Sequence, residues 1–149
     1  MNIYVKYLIV AVVLMVLDVA WILMNLSGYS KAVIAVQKSP MRLRNEHAII
    51  AYIIILFSIF YVAIPFTTQN IKNLDSNSSD SVANAANVAN KLLKSFMYGG
   101  AVGFSIYGIY NFTSLAIYKD MDTSIGIMDT LWGTTLYTLT TFVYLLLPN

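Results

Sequence analysis

At 149 residues the chain has the length of one domain, yet 58% of it is hydrophobic and 11% charged, with a mean hydropathy of +0.69. Soluble domains carry roughly 25% charged residues, so the composition indicates an integral membrane protein and excludes an ordinary water-soluble fold. The net charge of +2 is scattered without a basic stripe, which leaves no nucleic-acid role, and the lack of cysteine removes disulfides, thiolate catalysis and cysteine-ligated zinc.

A helix needs about 20 mainly apolar residues to cross the hydrocarbon core. Four segments qualify: 7–26, 48–66, 95–118 and 125–147. Their length and lack of alternation predict helices rather than barrel strands, because backbone in lipid must satisfy its own hydrogen bonds. The expected fold is an all-α membrane protein, one transmembrane domain over 1–149, with a bundle of four transmembrane helices and an amphipathic extension before the third.

In chain order, Lys6 precedes the first run as in a signal peptide, but Asp18 interrupts the core and no small-x-small cleavage site follows, so a retained span is expected. The connection 27–47 gathers Lys31, Lys38, Arg42 and Arg44, with Pro40 as a breaker. Span two is more apolar, with Tyr52, Ser58 and Tyr61 as features and Pro65 predicted to mark its end. The polar connection 67–81 reads as a loop. After Asp80 or Ser81 as N-cap, Val82, Ala85, Ala86, Ala89, Leu92 and Leu93 recur at helical spacing with asparagines and lysines off that face, an amphipathic lead-in to span three. The connection 119–124 is short enough to make spans three and four an antiparallel hairpin. An even number of spans puts both termini on one side, and the nearly balanced basic residues lean toward cytoplasmic first and third connections. Asn77-Ser78-Ser79 fits a glycosylation acceptor, a triplet common in such loops.

Two acids interrupt the apolar runs, and each is followed three residues later by a tryptophan: Asp18 with Trp21, and Asp129 with Trp132. Helical neighbours lie three or four apart, so each tryptophan can pack beside its own aspartate. Tyr7, Ala11, Leu14, Asp18, Trp21 and Asn25 form one stripe, and Gly126, Asp129, Gly133, Tyr137, Thr140 and Tyr144 another. Span three adds Gly99, Gly103, Tyr107, Tyr110, Asn111, Ser114 and Tyr118. Gly99 and Gly103, with Gly126 and Gly133 opposite, are the expected close-packing positions. The polar side chains Asp18, Trp21, Tyr107, Tyr110, Asn111, Ser114, Asp129 and Trp132 are expected to converge inside the bundle. A charged aspartate at a helix centre costs about 2.5 to 3.5 kcal/mol on insertion scales, so two of them require partners, water or protonation.

Leu17-Asp-x-x-Trp21, then Tyr29, then Tyr110-x-x-Thr113-x-x-Ala116, then Asp129-x-x-Trp-Gly133 resembles the predicted membrane proteins grouped as domain of unknown function 2177. The resemblance covers most of the chain except the Asn/Ser-rich connection. It implies a four-helix integral membrane protein of bacteria, some versions being algal or viral, and supplies no activity. This sequence departs from that pattern at Asn111, where an aspartate is usual, and at Ser114, where an asparagine is usual, which weakens any inherited proton or cation site.

One histidine, His47, and no metalloprotease, serine-hydrolase or P-loop motif give no reason to expect an enzyme, a cofactor or a metal; only Arg44, Glu46 and His47 form a cluster at headgroup depth. The primary expectation is a structural or interaction protein, such as a membrane-anchored subunit of a virion or larger membrane complex. Its partners would be the bilayer, other proteins through 27–47 and 67–94, and further copies of itself. The alternative is a transporter or channel component, proton-coupled or passing a small polar solute, that uses the intramembrane aspartates.

Overall fold

The computed structural model describes residues 1–72 and 81–148. Its helices are α1 (Ile3–Met24), α2 (Leu26–Gln37), α3 (Asn45–Ser58), α4 (Ile64–Lys72), α5 (Ser81–Lys94), α6 (Ala101–Ile117) and α7 (Thr123–Leu146). A π-helical turn, Ile59–Ala63, joins α3 to α4, and another, Ser95–Gly100, joins α5 to α6. The chain is therefore five continuous helical rods, and no strand occurs among the described residues.

Local chemistry sets most of the ends. Asn2 begins α1 by accepting the Tyr4 N–H at 2.9 Å, and Asp122 begins α7 by accepting that of Ser124 at 2.8 Å, both N-caps. Asn25 ends α1, and its backbone N–H and side-chain amide both donate to the Trp21 carbonyl, at 3.1 and 3.0 Å. The connection expected over 27–47 is largely helical instead, since α2 fills Leu26–Gln37 before Lys38 closes it in the left-handed region at φ 56°. Its Tyr29, Val33 and Val36 recur at helical spacing, a face too short to stand out in a search for spans.

Pro65 does not end span two. It sits in the first turn of α4, directly after the π-helical turn, where the Ile64 N–H reaches back five residues to the Ile59 carbonyl. The wider turn relieves the clash that a proline ring makes with an α-helical carbonyl four residues earlier. Residues 67–72 then continue as helix, not loop: Thr67, Thr68 and Asn70 return hydrogen bonds to the Ala63, Ile64 and Phe66 carbonyls at 2.7, 2.7 and 2.8 Å. The remainder of that connection, the Asp80 cap and the Asn77 triplet lie outside the described residues. The amphipathic segment is the helix Ser81–Lys94, continuous with span three.

α7 is the hub: it touches every other rod and pairs most extensively with α6, its hairpin partner. An apolar core of Val10, Leu14, Ile59, Ala63 and Leu136 is buried beside an unusual number of polar groups. Lys6, Asp18, Ser58, Asn111 and several threonines are buried, while Leu8, Val12 and Val16 on α1 and Ile49, Ile53 and Phe57 on α3 are exposed. Such apolar faces are a surface for lipid. Two helical stretches, Ile3–Met24 and Asn45–Ile71, are long and apolar enough to cross a membrane, each at a hydropathy of 2.6. The expected third and fourth spans do not join them, because Asn111, Asp129 and the threonines of α7 dilute their apolar runs.

Candidate functional site

Both aspartates sit where rods meet. Asp18 is 6% exposed; one carboxylate oxygen accepts from the Trp132 indole at 2.9 Å and the other from the Tyr52 hydroxyl at 2.8 Å. Asp129, half-buried, accepts from the Tyr29 hydroxyl at 2.7 Å and from the Asn111 side-chain amide at 2.9 Å. The four donors are neutral, and among the described residues neither carboxylate forms an ion pair.

The two Asp-x-x-Trp motifs are crossed. Trp132, three residues after Asp129, serves Asp18, while Trp21, three residues after Asp18, donates at 2.9 Å to Tyr29, which in turn serves Asp129. The indoles stack at 4.4 Å with 4° between their planes. Offset stacking suits the aromatic quadrupole and adds about 0.5 to 1.5 kcal/mol beyond area burial. Each tryptophan therefore bonds across the helix interface instead of folding onto its own aspartate.

Donor identities fix the direction of these bonds. An indole nitrogen can only donate, so Tyr29 accepts from Trp21 and turns its own proton to Asp129. Asn111 also donates to the Tyr107 carbonyl at 2.9 Å, which orients its amide nitrogen toward Asp129. Burial, and then the bond to Asp129, push the Tyr29 phenol above its ordinary range.

The residues expected to converge fall into three groups. Asp18, Trp21, Asn111, Asp129 and Trp132 are joined by the hydrogen bonds and the stack. Tyr107 packs its ring on Gly133 and meets Tyr137 edge-on at 6.4 Å. Tyr110, 67% exposed, and Ser114 border a cavity of about 500 Å³ that also reaches Asp129, Tyr29 and Tyr118. Tyr29 and Tyr52, both donors to the aspartates, were absent from the expected cluster. Tyr52 could have been found as the lone tyrosine in the Ile-rich stretch of α3, and Tyr29 as the first ring after the α1 break.

The glycines make the α6 and α7 contact. A Cβ on Gly103 would strike the Gly133 carbonyl, and one on Gly133 would strike the Tyr107 ring. At Gly99 it would meet Thr141 Oγ1 at 2.6 Å, and at Gly126 Leu115 at 2.9 Å. Thr130, Thr134, Thr138 and Thr140 return their hydroxyls to carbonyls four residues earlier, which satisfies those four inside the bundle, whereas the buried hydroxyls of Thr141 and Ser95 have no hydrogen-bond partner among the described residues. Arg44, Glu46 and His47 are exposed, with contacts of 3.8 and 3.6 Å to Glu46.

Lipid-facing apolar helices around a hydrogen-bonded polar interior define the class as helical membrane proteins, associated with the bilayer. Residues 81–146 match the model of a family described as predicted membrane protein (DUF2177). No curated protein and no solved structure matches the chain.

Proposed function

We propose that this is a multi-pass protein, crossing the bilayer with α1, α3–α4, α5–α6 and α7, and that it is a structural or interaction component of a larger membrane assembly. The observation that carries this reading is the division of labour between the carboxylates. Asp18 collects donors from the α3 and α7 rods, Asp129 from α2 and α6, so two acids fasten all five rods. The stacked indoles favour the same reading over a proton relay. Each has an N–H but no lone pair to accept a proton, so the path from Asp18 toward Asp129 is interrupted at Trp132 and Trp21. The single transmembrane domain over 1–149 belongs to this proposal.

Asp18→Asn and Asp129→Asn test it. Thermal unfolding in mild detergent is expected to show both variants destabilised, with proton flux in proteoliposomes at background for the wild type and both variants. Wild-type flux that Asp18→Asn abolishes without loss of stability would sink the structural reading.

A further inference from the structure

Asp129 has an exposure that Asp18 lacks. Asp18 is sealed within the interior, whereas Asp129 forms part of the wall of the 500 Å³ cavity between α2, the end of α6 and the start of α7. A carboxylate offers about four lone-pair sites, and Tyr29 and Asn111 occupy one on each oxygen, which leaves accepting capacity for a guest. Fastening and binding are thus compatible at this residue.

The remaining wall narrows the chemistry of that guest. Tyr29, Tyr110 and Tyr118 are among the lining residues, and Val33, Val36 and Ile125 give the space an apolar side. Tyrosine faces attract cations held within about 6 Å of a ring centroid, the more strongly as water is excluded. An anion would be repelled by Asp129, and a neutral apolar guest would bury that carboxylate without compensation. A strongly hydrated metal ion would find too few oxygen ligands: no group of three or more acidic or histidine side chains able to hold one occurs among the described residues.

We propose that this cavity binds an organic ammonium group of the choline type. Asp129 is its counter-charge, Tyr29, Tyr110 and Tyr118 form an aromatic cage, and the valines of α2 pack against its methyl and methylene groups. Asp129 is the seventh residue of α7, about 9 Å along it from Thr123 at a rise of about 1.5 Å per residue. That depth suits either a small soluble amine or the ammonium headgroup of a lipid.

The full chain in nanodiscs of phosphatidylglycerol, which lacks an ammonium headgroup, is titrated with choline and followed by isothermal titration calorimetry. The expected result is saturable binding weakened at least 10-fold by Asp129→Asn and by Val33→Trp, which fills the cavity without touching the Asp129 bonds. Asp120→Asn, a carboxylate on the neighbouring turn paired with Lys38, is expected to bind as the wild type does. Repeating the titration in phosphatidylcholine discs separates the sources: competition marks the lipid headgroup, and unchanged affinity marks a free amine. No saturable binding in phosphatidylglycerol discs, equal binding by folded Val33→Trp, or equal loss in Asp120→Asn overturns the proposal.

Discussion

Trp132 contributes one N–H and one ring, and the two can be separated. Trp132→Phe keeps a ring against Trp21 but strips the donor from Asp18, leaving that buried carboxylate to Tyr52 alone. Interhelical hydrogen bonds in membranes average about 0.6 kcal/mol and reach about 1.7, and burial places this one toward the upper end. A loss of about 1 to 2 kcal/mol is expected from unfolding in detergent, and a double-mutant cycle with Asp18→Leu, which removes both acceptor oxygens, should show most of that loss as coupling. Little coupling would mean that Trp132 acts through packing alone. At this scale the sequence was half legible: Asp18 and Asp129 stood out because an acid in an apolar run has no solubility reason to be there. Of their four donors, Trp132 and Asn111 were in the expected cluster, while Tyr29 and Tyr52 were not, because i, i+3 spacing describes one helix and these two arrive from others. Lys6 was likewise read as a flank, yet it is buried, bonding the Leu147 carbonyl at 3.1 Å and lying 4.1 Å over the Tyr144 ring.

The pairing of α6 with α7 depends on the absence of side chains at particular turns. At Gly103 an added methyl meets the Gly133 backbone, which cannot yield without moving the helix, whereas at Gly108 it would meet only Thr130 Cγ2 at an ordinary 3.6 Å. Gly103→Ala and Gly133→Ala are therefore expected to cost about 1 to 3 kcal/mol through overpacking. Gly108→Ala should be neutral or stabilise by up to about 1 kcal/mol, because alanine is the better helix former. Equal thermal shifts at Gly103 and Gly108 would contradict the close-approach account. Gly99-x-x-x-Gly103 announced this contact in the sequence, and the short connection to α7 named the partner. The π-helical turns left no comparable mark, since hydrophobic periodicity does not register one extra residue in a turn. Pro65 consequently looked like an end, and the hydrogen bonds of Thr67 and Thr68 kept a polar segment helical beyond it.

For the whole molecule, two contacts define opposite ends. Lys6 against Leu147 brings the chain termini together, and Lys38 against Asp120, 2.8 Å apart, joins the α2–α3 and α6–α7 turns. If all four long rods cross the bilayer, cysteines introduced at Asn2 and Pro148 will react with an impermeant maleimide from one side, and those at Ser39 and Lys119 from the other. The natural chain has no cysteine, so each label reports a single site. Labelling of all four from the same side would reduce the number of crossings. Composition alone indicated a membrane protein, because so few charges cannot cover a soluble domain. It overstated the uniformity of the spans: α1 and the α3–α4 rod are mainly apolar, each at a hydropathy of 2.6, whereas α7 hides its greater polarity against its neighbours.

The crossed motifs also impose an order on synthesis. Asp18 is made 114 residues before Trp132, so if α1 spans the bilayer as proposed, it enters while that donor does not yet exist. Until α7 emerges, that acid must be protonated, hold water or stay near the interface, since an unpaired charge at the membrane centre is costly. The last helix therefore acts as a latch on the first. A nascent chain that stops short of Trp132 lacks one of the two donors that hold Asp18 in the completed protein.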